Sequence, residues 1–478
     1  MKRGIVEAIS SDGRGIIRDE KVNFVLGALP GDEVEYEIIN EKKRFNECAL
    51  IHIINYSNKR QRNDNPLGSA YPLYPLEEDY QLELKKEMVL NNLKKIAKLD
   101  LDNIAINAVK NDSYRLNKIR LHIKDDKIGL MEFKSNEIYE PDYDILFGDG
   151  KLLKSLPMKI KNASYASIRR DSNGYLYIAT DGESLIEIDD KIRGIKDINE
   201  IRGDNPSYDI IQNSYEVGID GFFQNSISGA ASCLKIIGDE KRGDLLDLYS
   251  GVGLISLYVA KNAKSVTGVE INKEAVNFAN KNVIKNYGKN DSIKFIAKDT
   301  DEFIKDNKRK FDTVIVDPPR SGLTKLTING IIEIAKDELI YMSCDHATLA
   351  RDLYILKEHF KIDEIYIVDM FKGTIEVETV ALLSKLNTKY HLDIEIGEDE
   401  LSEIDFSKDA TYGEIKKFVL DKYGLKVSSL YIAQVKRKYG LIERENYNIS
   451  KKENQRVPNC PEEKEKAIEK ALKCFGMI

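Results

Sequence analysis

Apolar and polar positions change their period several times along the chain. Residues 1–57 alternate in short runs, Gly4–Ile9, Gly15–Arg18, Val22–Val25, Glu33–Asn40 and Cys48–Ile54, separated by turn signals such as Ser11-Asp12-Gly13 and Leu29-Pro30-Gly31-Asp32. Five short strands of this kind predict a small barrel of the oligonucleotide-binding type. Ser57–Glu78 carries Pro66, Pro72 and Pro75 without periodicity and reads as a linker. Tyr80–Leu99 has helical spacing, with Leu82, Val89, Leu93 and Ile96 among lysines and glutamates. Ile106–Ile188 returns to alternation, in Lys118–Lys124, Ile128–Phe133 and Gly174–Ile178, which predicts a mixed, mostly antiparallel domain. From Asp209 onward strands and helices take turns. The predicted strands are Tyr215–Phe223, Leu245–Tyr249, Ser265–Val269, Lys294–Ile296, Thr313–Val316, Leu339–Met342, Glu364–Val368 and Thr379–Leu383. This pattern is that of a doubly wound sheet, whose ligands lie at the carboxyl ends of the parallel strands.

The chain has 478 residues, beyond what one core supports, so three or four domains are expected. The division read from the pattern is a barrel at 1–57, a linker at 58–78, a central α+β domain at 79–208, a Rossmann-like sheet at 209–386 and a helical extension at 387–478. With 42% hydrophobic and 32% charged residues the composition is that of a globular protein. No run of about 18 apolar residues predicts a membrane span, and the first residues have no secretory signature. The net charge of −7 argues against a chain that coats nucleic acid indiscriminately, while Lys42-Lys43-Arg44 and Lys59-Arg60-Gln61-Arg62 supply local basic surface. Five widely spaced cysteines without a Cys-x-x-Cys pair suit a reducing cytoplasm and offer no metal-ligand spacing.

The chemistry concentrates where the predicted strands end. Leu245–Tyr249 breaks at Ser250-Gly251-Val252-Gly253, a turn that needs free backbone angles, and the next strand closes in Glu270, an acid able to accept from ribose hydroxyls. Ser256 stands where a dinucleotide fingerprint has its third glycine. Asp247 and the Asp-x-x-x-Gly-x-Gly spacing point instead towards S-adenosylmethionine. Thr313–Val316 runs into Asp317-Pro318-Pro319-Arg320-Ser321-Gly322, where the prolines end the ladder and hold Asp317 at the sheet edge. Leu339–Met342 runs into Ser343-Cys344-Asp345-His346 before a predicted helix, Ala347–Leu356. Cys344 is there either a small buried hydrophobe or a nucleophile whose thiol pKa the helix start lowers. Glu376 and Glu378 precede the last strand and face the same way if extended.

These motifs, in this order, resemble those of the RNA (uracil-5-)-methyltransferase family. Phe223-Gln224, Asp247-Leu-Tyr-Ser-Gly-Val-Gly253, Val269-Glu270, Asp317-Pro-Pro-Arg-Ser-Gly322, Ser343-Cys344 with Ala347-Thr-Leu-Ala-Arg-Asp352, and Val377-Glu378-Thr-Val carry the likeness across residues 1–386. The resemblance implies that Gln224, Tyr249, Glu270 and Asp317 contact S-adenosylmethionine, with Asp299 a further candidate. It also implies that Cys344 is the nucleophile and Glu378 the general base. It makes the barrel similar to a TRAM domain, RNA the partner, and 23S ribosomal RNA the favoured target ahead of transfer RNA. A cytoplasmic monomer is expected. Two other readings stay open: an amino-group methyltransferase, because Asp-Pro-Pro also serves that chemistry, and a catalytically silent RNA-binding relative.

The chain departs from the family in three places. Asn65-Pro-Leu-Gly-Ser-Ala-Tyr-Pro-Leu-Tyr74 resembles the region that holds three of four iron–sulfur ligands in many members, yet it contains no cysteine, so no cluster is expected. Asp345-His346 replaces the usual Asn-Pro after the nucleophile, and Glu376 replaces the usual His before the base. In the extension, Tyr412–Tyr423 and Ser428–Tyr439, separated by Gly424-Leu-Lys-Val, are reminiscent of a helix-turn-helix. Pro461–Phe475 reads as one more helix. The extension is thus either a docking module or a packing appendage.

Overall fold

The computed structural model describes residues 1–111, 113–386, 412–423, 425–439 and 460–474. They fall into two units, Met1–Thr388 and Lys389–Ile478.

The first unit begins with six strands: β1 (Lys2–Ile5), β2 (Ala8–Ile9), β3 (Gly15–Arg18), β4 (Val22–Val25), β5 (Glu33–Glu41) and β6 (Phe45–Asn55). Their order in the sheet is β1-β5-β6-β4-β3-β2. The run expected as one strand, Gly4–Ile9, is split because its two halves pair with opposite edges, β1 with β5 and β2 with β3. One stretch of chain therefore joins both edges. The Val6 and Glu7 N–H groups bridge the break by donating to Asp32 O and Ile16 O, each at 2.9 Å. Alternation sends Val6, Ile17, Val25, Val34, Tyr36 and Cys48 inward. Asp32 is buried at the turn, where its carboxylate accepts from Leu29 N at 2.8 Å, Ser57 N at 3.0 Å and both guanidinium nitrogens of Arg60 at 2.8 and 2.6 Å. That bidentate contact ties the sheet to the linker.

The central region forms a seven-stranded sheet in the order Ile138–Tyr139, Lys127–Met131, Lys118–Lys124, Tyr165–Arg170, Leu176–Thr180, Ile192–Lys196, Ile201–Gly203. It is antiparallel apart from the pair Leu176–Thr180 and Ile192–Lys196. Ile119, Leu121, Ile168 and Ile178 pack with Leu146, Leu153 and Leu156 of two short helices. Two elements that the sequence placed in this region lie elsewhere. Helix α1 (Glu78–Lys95) and strand β7 (Ala105–Val109) join the C-terminal sheet, where β7 pairs with the strand Phe360–Val368 and Val89 and Leu93 of α1 enter its core.

That sheet continues with β8 (Arg242–Leu248), β9 (Ala263–Glu270), β10 (Ile293–Ala297), β11 (Phe311–Val316), β12 (Ala335–Ser343), β13 (Phe360–Val368) and β14 (Glu378–Lys385). The order is β10-β9-β8-β11-β12-β14-β13-β7, parallel except for β14. Helices α2 (Ile227–Ile237), α3 (Leu254–Ala260) and α4 (Lys273–Tyr287) cover one face. Helices α1, α5 (Thr300–Asp306), α6 (Lys325–Ile334) and α7 (His346–Leu356) cover the other. β8, β11 and β12 are buried on both faces, which is why they read as continuous apolar runs. The expected strand Tyr215–Phe223 is shorter. Only Asn213–Glu216 pairs, with Ser207–Ile210, and the chain then turns, Gly221 N donating to Gly218 O at 2.9 Å. Phe223-Gln224 accordingly lies in a loop that leads to the Ser226 cap of α2.

In the second unit, helices Tyr412–Tyr423, Ser429–Lys438 and Glu462–Cys474 bury Ile415, Val419, Ile432, Val435, Ile468 and Leu472 against one another. Lys438, one of the basic residues of the helix-turn-helix reading, is paired with Glu465 at 2.5 Å and Glu469 at 3.2 Å. The expected turn residue Gly424, the helix end Phe475 and the stretch 387–411 lie outside the described residues. No described helix is long and apolar enough to cross a membrane.

Candidate functional site

All the strand-end residues singled out from the sequence stand at one end of the sheet. β8 ends at Leu248, and Tyr249, Gly251 and Gly253 take φ angles of 64°, 54° and 87° to turn the chain into α3. A Cβ on Gly251 meets no atom within 4 Å. Its glycine therefore answers the backbone angle, and the space above it stays open. Glu270, the last residue of β9, fixes this turn: Oε2 accepts from Gly251 N at 3.0 Å and Oε1 from Asn272 N at 2.8 Å. Ser256, the residue that breaks the dinucleotide fingerprint, donates its N–H at 3.1 Å and its hydroxyl at 2.5 Å to Asp247 Oδ2. Asp247 is 1% exposed, and its other oxygen has no partner. Burial pushes its carboxyl up to about 7. The sequence showed Asp247 only as a spacing mark. Its burial on the strand side of the turn makes it a member of the site.

Asp317 follows β11 directly. Desolvation and the neighbouring Asp247 push it up to about 7 as well. Its loop is fixed from behind by α7. Asp352 accepts from Leu323 N at 2.8 Å and Tyr341 OH at 2.6 Å, while Arg351 donates to Ser321 O at 3.1 Å and Leu323 O at 3.0 Å. Gly322, at φ 70°, lies so close that a Cβ would stand 2.6 Å from Arg351 Nη2 and 2.8 Å from Asp352 Oδ2. Local pattern gave no sign of this bracing by Arg351 and Asp352.

The nucleophile and base candidates are brought together by strand register. Ser343 of β12 pairs with Thr379 of antiparallel β14. Cys344 follows the last pair on β12 and Glu378 opens β14, and Glu378 is among the charges that act on the Cys344 thiol. Glu378 is 3% exposed with one oxygen unpartnered, and burial, then Asp317 and Glu376, hold its carboxyl well above the usual range against the opposing pull of Arg320. The half-buried Cys344 thiol is pushed up to about 11 by desolvation and by Glu378. This reverses the lowered pKa expected from the helix start. Two of the free N–H groups of α7 are taken by Asp345, whose carboxylate accepts from Ala347 N at 3.1 Å and Thr348 N at 2.9 Å. Glu376 is ion-paired with Arg320 at 2.7 Å.

The remaining candidates stand at the margins. Gln224 is buried in a loop fixed by Asn117, whose Nδ2 donates to Gln224 O and whose N–H donates to Asn225 O, both at 2.9 Å. Asp299 lies past β10 and caps α5, accepting from Asp301 N at 2.9 Å and Glu302 N at 3.2 Å. One of its oxygens is thereby occupied. Burial raises the Tyr249 phenol. No group of three or more His, Cys, Asp or Glu among the described residues is placed to hold a metal ion.

The site thus gathers three acids, Asp247, Asp317 and Glu378, whose carboxyls resist ionisation, beside an open glycine turn. Acids whose ionisation desolvation opposes fit a cationic ligand, because its charge supplies what the fold withholds. A family model described as tRNA (Uracil-5-)-methyltransferase matches residues 194–386. An RNA methyltransferase of Mycoplasma mobile is 31% identical over 379 residues, covering 77% of this chain and 93% of the relative. The chain belongs to the RNA (uracil-5-)-methyltransferase family. An RNA methyltransferase of Caldanaerobacter subterraneus subsp. tengcongensis is 31% identical over 448 residues, covering 80% and 97%. The tRNA (uracil-54, C5)-methyltransferase of Pyrococcus abyssi, solved in complex with S-adenosyl-L-homocysteine, superposes with a TM-score of 0.66 at 26% identity, over 80% of this chain and all of that one. As a member of this family the protein is an S-adenosylmethionine-dependent RNA methyltransferase with a mixed α/β methyltransferase fold.

The raised acids give this methyltransferase a pH signature. S-adenosylmethionine carries a sulfonium charge and S-adenosylhomocysteine does not. A cation beside Asp247 and Asp317 favours their ionised forms, so its binding expels a proton below about pH 7. The affinity for S-adenosylmethionine relative to S-adenosylhomocysteine is expected to rise by about tenfold from pH 6 to pH 8. Calorimetric titration of both ligands at the two pH values checks this, and a flat ratio contradicts it.

Proposed function

We propose that the protein methylates carbon 5 of a uridine in RNA through a covalent adduct between Cys344 and carbon 6. The observation that carries this reading is the antiparallel pairing of β12 and β14, which leaves Cys344 just past the one and Glu378 at the start of the other, where the buried glutamate acts on the thiol. S-adenosylmethionine supplies an electrophilic methyl group on a charged sulfur. Gln224, Tyr249, Glu270 and Asp317 are the residues to hold it, with Asp299 at the edge; Glu270 sets the turn and Asp317 lies beside the charge.

Carbon 5 of uracil is a weak nucleophile. Bond formation between the Cys344 sulfur and carbon 6 moves the ring's double-bond electrons onto an enolate and makes carbon 5 reactive. After carbon 5 is methylated, Glu378 takes its proton. The electrons of that C–H bond re-form the 5,6 double bond and expel the Cys344 thiolate. A neutral Glu378 suits the first half, because it does not oppose thiolate; it gives its proton to water before the second half, which it serves ionised. Arg320, beside both, favours the anion on either one. The target base leaves its stack to reach this pair, at a cost of a few kcal/mol.

The six-stranded N-terminal sheet, closed by the run Lys2–Ile9, supports a TRAM-like barrel that binds the RNA. The favoured target is 23S ribosomal RNA. Transfer RNA is the second reading, supported by the description of the matching family model and the activity named for the P. abyssi enzyme. Mapping 5-methyluridine in ribosomal and transfer RNA from cells with and without the gene separates the two. A 5-methyluridine lost from 23S RNA and regained on complementation is the expected result. Loss confined to transfer RNA gives the second reading, and no loss from either overturns both.

A further inference from the structure

Helix α1 reaches both halves of the reaction centre from a distant part of the chain. Four of its polar residues, Glu78, Gln81, Lys85 and Asn92, fall within an arc of about 60° at 100° per residue. Asn92 Nδ2 is hydrogen-bonded to Nδ1 of His346 at 2.7 Å, two residues past Cys344. Lys85 Nζ is paired with Asp369 Oδ1 at 2.5 Å and donates to Phe371 O at 2.9 Å. Gln81 Oε1 accepts from Gly373 N at 2.9 Å, and Glu78 is paired with Lys372 at 2.5 Å. The first part of the segment that delivers the chain from β13 to Glu378, residues 369–373, is therefore held by one helix face. From the linker, Leu73 N donates to Gly373 O at 2.9 Å and adds to the hold.

Lys85 has no exposed surface and Asp369 has 1%. A buried ion pair rarely outdoes apolar packing in stability, so packing on the sheet does not account for it. What the pair does supply is a fixed geometry for the segment that leads to Glu378. His346 and Glu376, two of the positions where the chain departs from its family, both have partners: Asn92 of α1 for one and Arg320 for the other.

We propose that α1 is a positioning helix that sets the distance between the nucleophile and the base. Asn92 seats the Cys344 side through His346, and Lys85 seats the Glu378 side through Asp369 and Phe371. The inference rests on the reading that Cys344 and Glu378 carry the reaction, and its test keeps the two apart.

The test uses the full chain, S-adenosylmethionine and unmodified transcript containing the mapped uridine, with covalent RNA–protein complex read on denaturing gels. The variant Lys85→Met/Asp369→Asn removes the ion pair without stranding a charge. It is expected to lower kcat by about tenfold or more, since small misplacements cost that much, with KM for RNA within about twofold. Covalent complex should accumulate during turnover, as it does when Glu378 itself is replaced, because the base-side step is the one impaired. Asn92→Leu, at a half-buried position, should slow adduct formation on 5-fluorouridine RNA about tenfold without accumulation on ordinary RNA. Turnover within twofold of wild type in either folded variant overturns the proposal. So does a fall in kcat in the double variant without covalent complex. Should the double variant not fold, the rate of adduct formation in Asn92→Leu decides alone. If wild type forms no adduct while Cys344→Ala still methylates, the functional reading itself has failed and takes the inference with it.

Discussion

Replacing Glu378 with glutamine is expected to lower turnover by about 10²–10⁴-fold, the range for losing a general base, while leaving the protein able to attack its substrate. Glu378 is buried at the start of β14, and burial holds its carboxyl well above the usual range. Glutamine keeps the shape but cannot take up a proton. The adduct should then form and accept its methyl group, but the carbon 5 proton has nowhere to go. The expected result is a methylated, covalent RNA–protein complex that survives denaturation and builds up with ordinary uridine RNA. Turnover within tenfold of wild type would show that another group removes the proton.

The second large effect belongs to Cys344→Ala. Without the sulfur, carbon 5 is never activated, and turnover is expected to fall by on the order of 10⁴–10⁶, as when other enzymes lose their nucleophile. S-adenosylmethionine affinity should stay within about twofold, because Glu270 and the glycine turn are not disturbed. An amino-group methyltransferase would keep its activity in this variant. A catalytically silent relative would have none to lose. For the wild type, the raised thiol implies that adduct formation speeds up as pH rises from 6 to 9. The thiolate fraction grows through that whole window, and burial and Glu378 place the midpoint above it.

The strand-end chemistry was legible in the sequence because it obeys local rules. β8, β11 and β12 are short apolar runs, and each stops at a glycine turn, a Pro-Pro or a capping residue. Asp317, Cys344 and Glu378 could therefore be named as neighbours before any coordinates. What failed depends on partners remote in sequence. Tyr215–Phe223 has strand-like composition, yet it loses its ladder at Gly218 and Gly221 because no edge is there to pair with. The Cys344 thiol is raised rather than lowered because burial desolvates it and Glu378, Asp317 and Glu376 act on it, none of them near it in sequence. Helix α1 read as amphipathic on Leu82, Val89, Leu93 and Ile96; the structure buries Val89 and Leu93 of these, together with Gln81, Leu84 and Lys85. A lysine on the buried face cannot be foreseen when its partner, Asp369, lies 284 residues away. For the same reason the boundary drawn at residue 79 does not follow the packing: β7 pairs with a strand that is made only at Phe360–Val368.

One measurement bears most directly on the claim that a sulfur on this chain bonds to the base. Target RNA carrying 5-fluorouridine has no carbon 5 proton for Glu378 to remove, so the adduct should be trapped after methyl transfer. Incubated with wild-type protein and S-adenosylmethionine, then digested and analysed by mass spectrometry, it should yield a single nucleotide-bearing peptide modified at Cys344. RNA that binds under the same conditions but leaves Cys344 unmodified, or becomes attached at another residue, would contradict the mechanism.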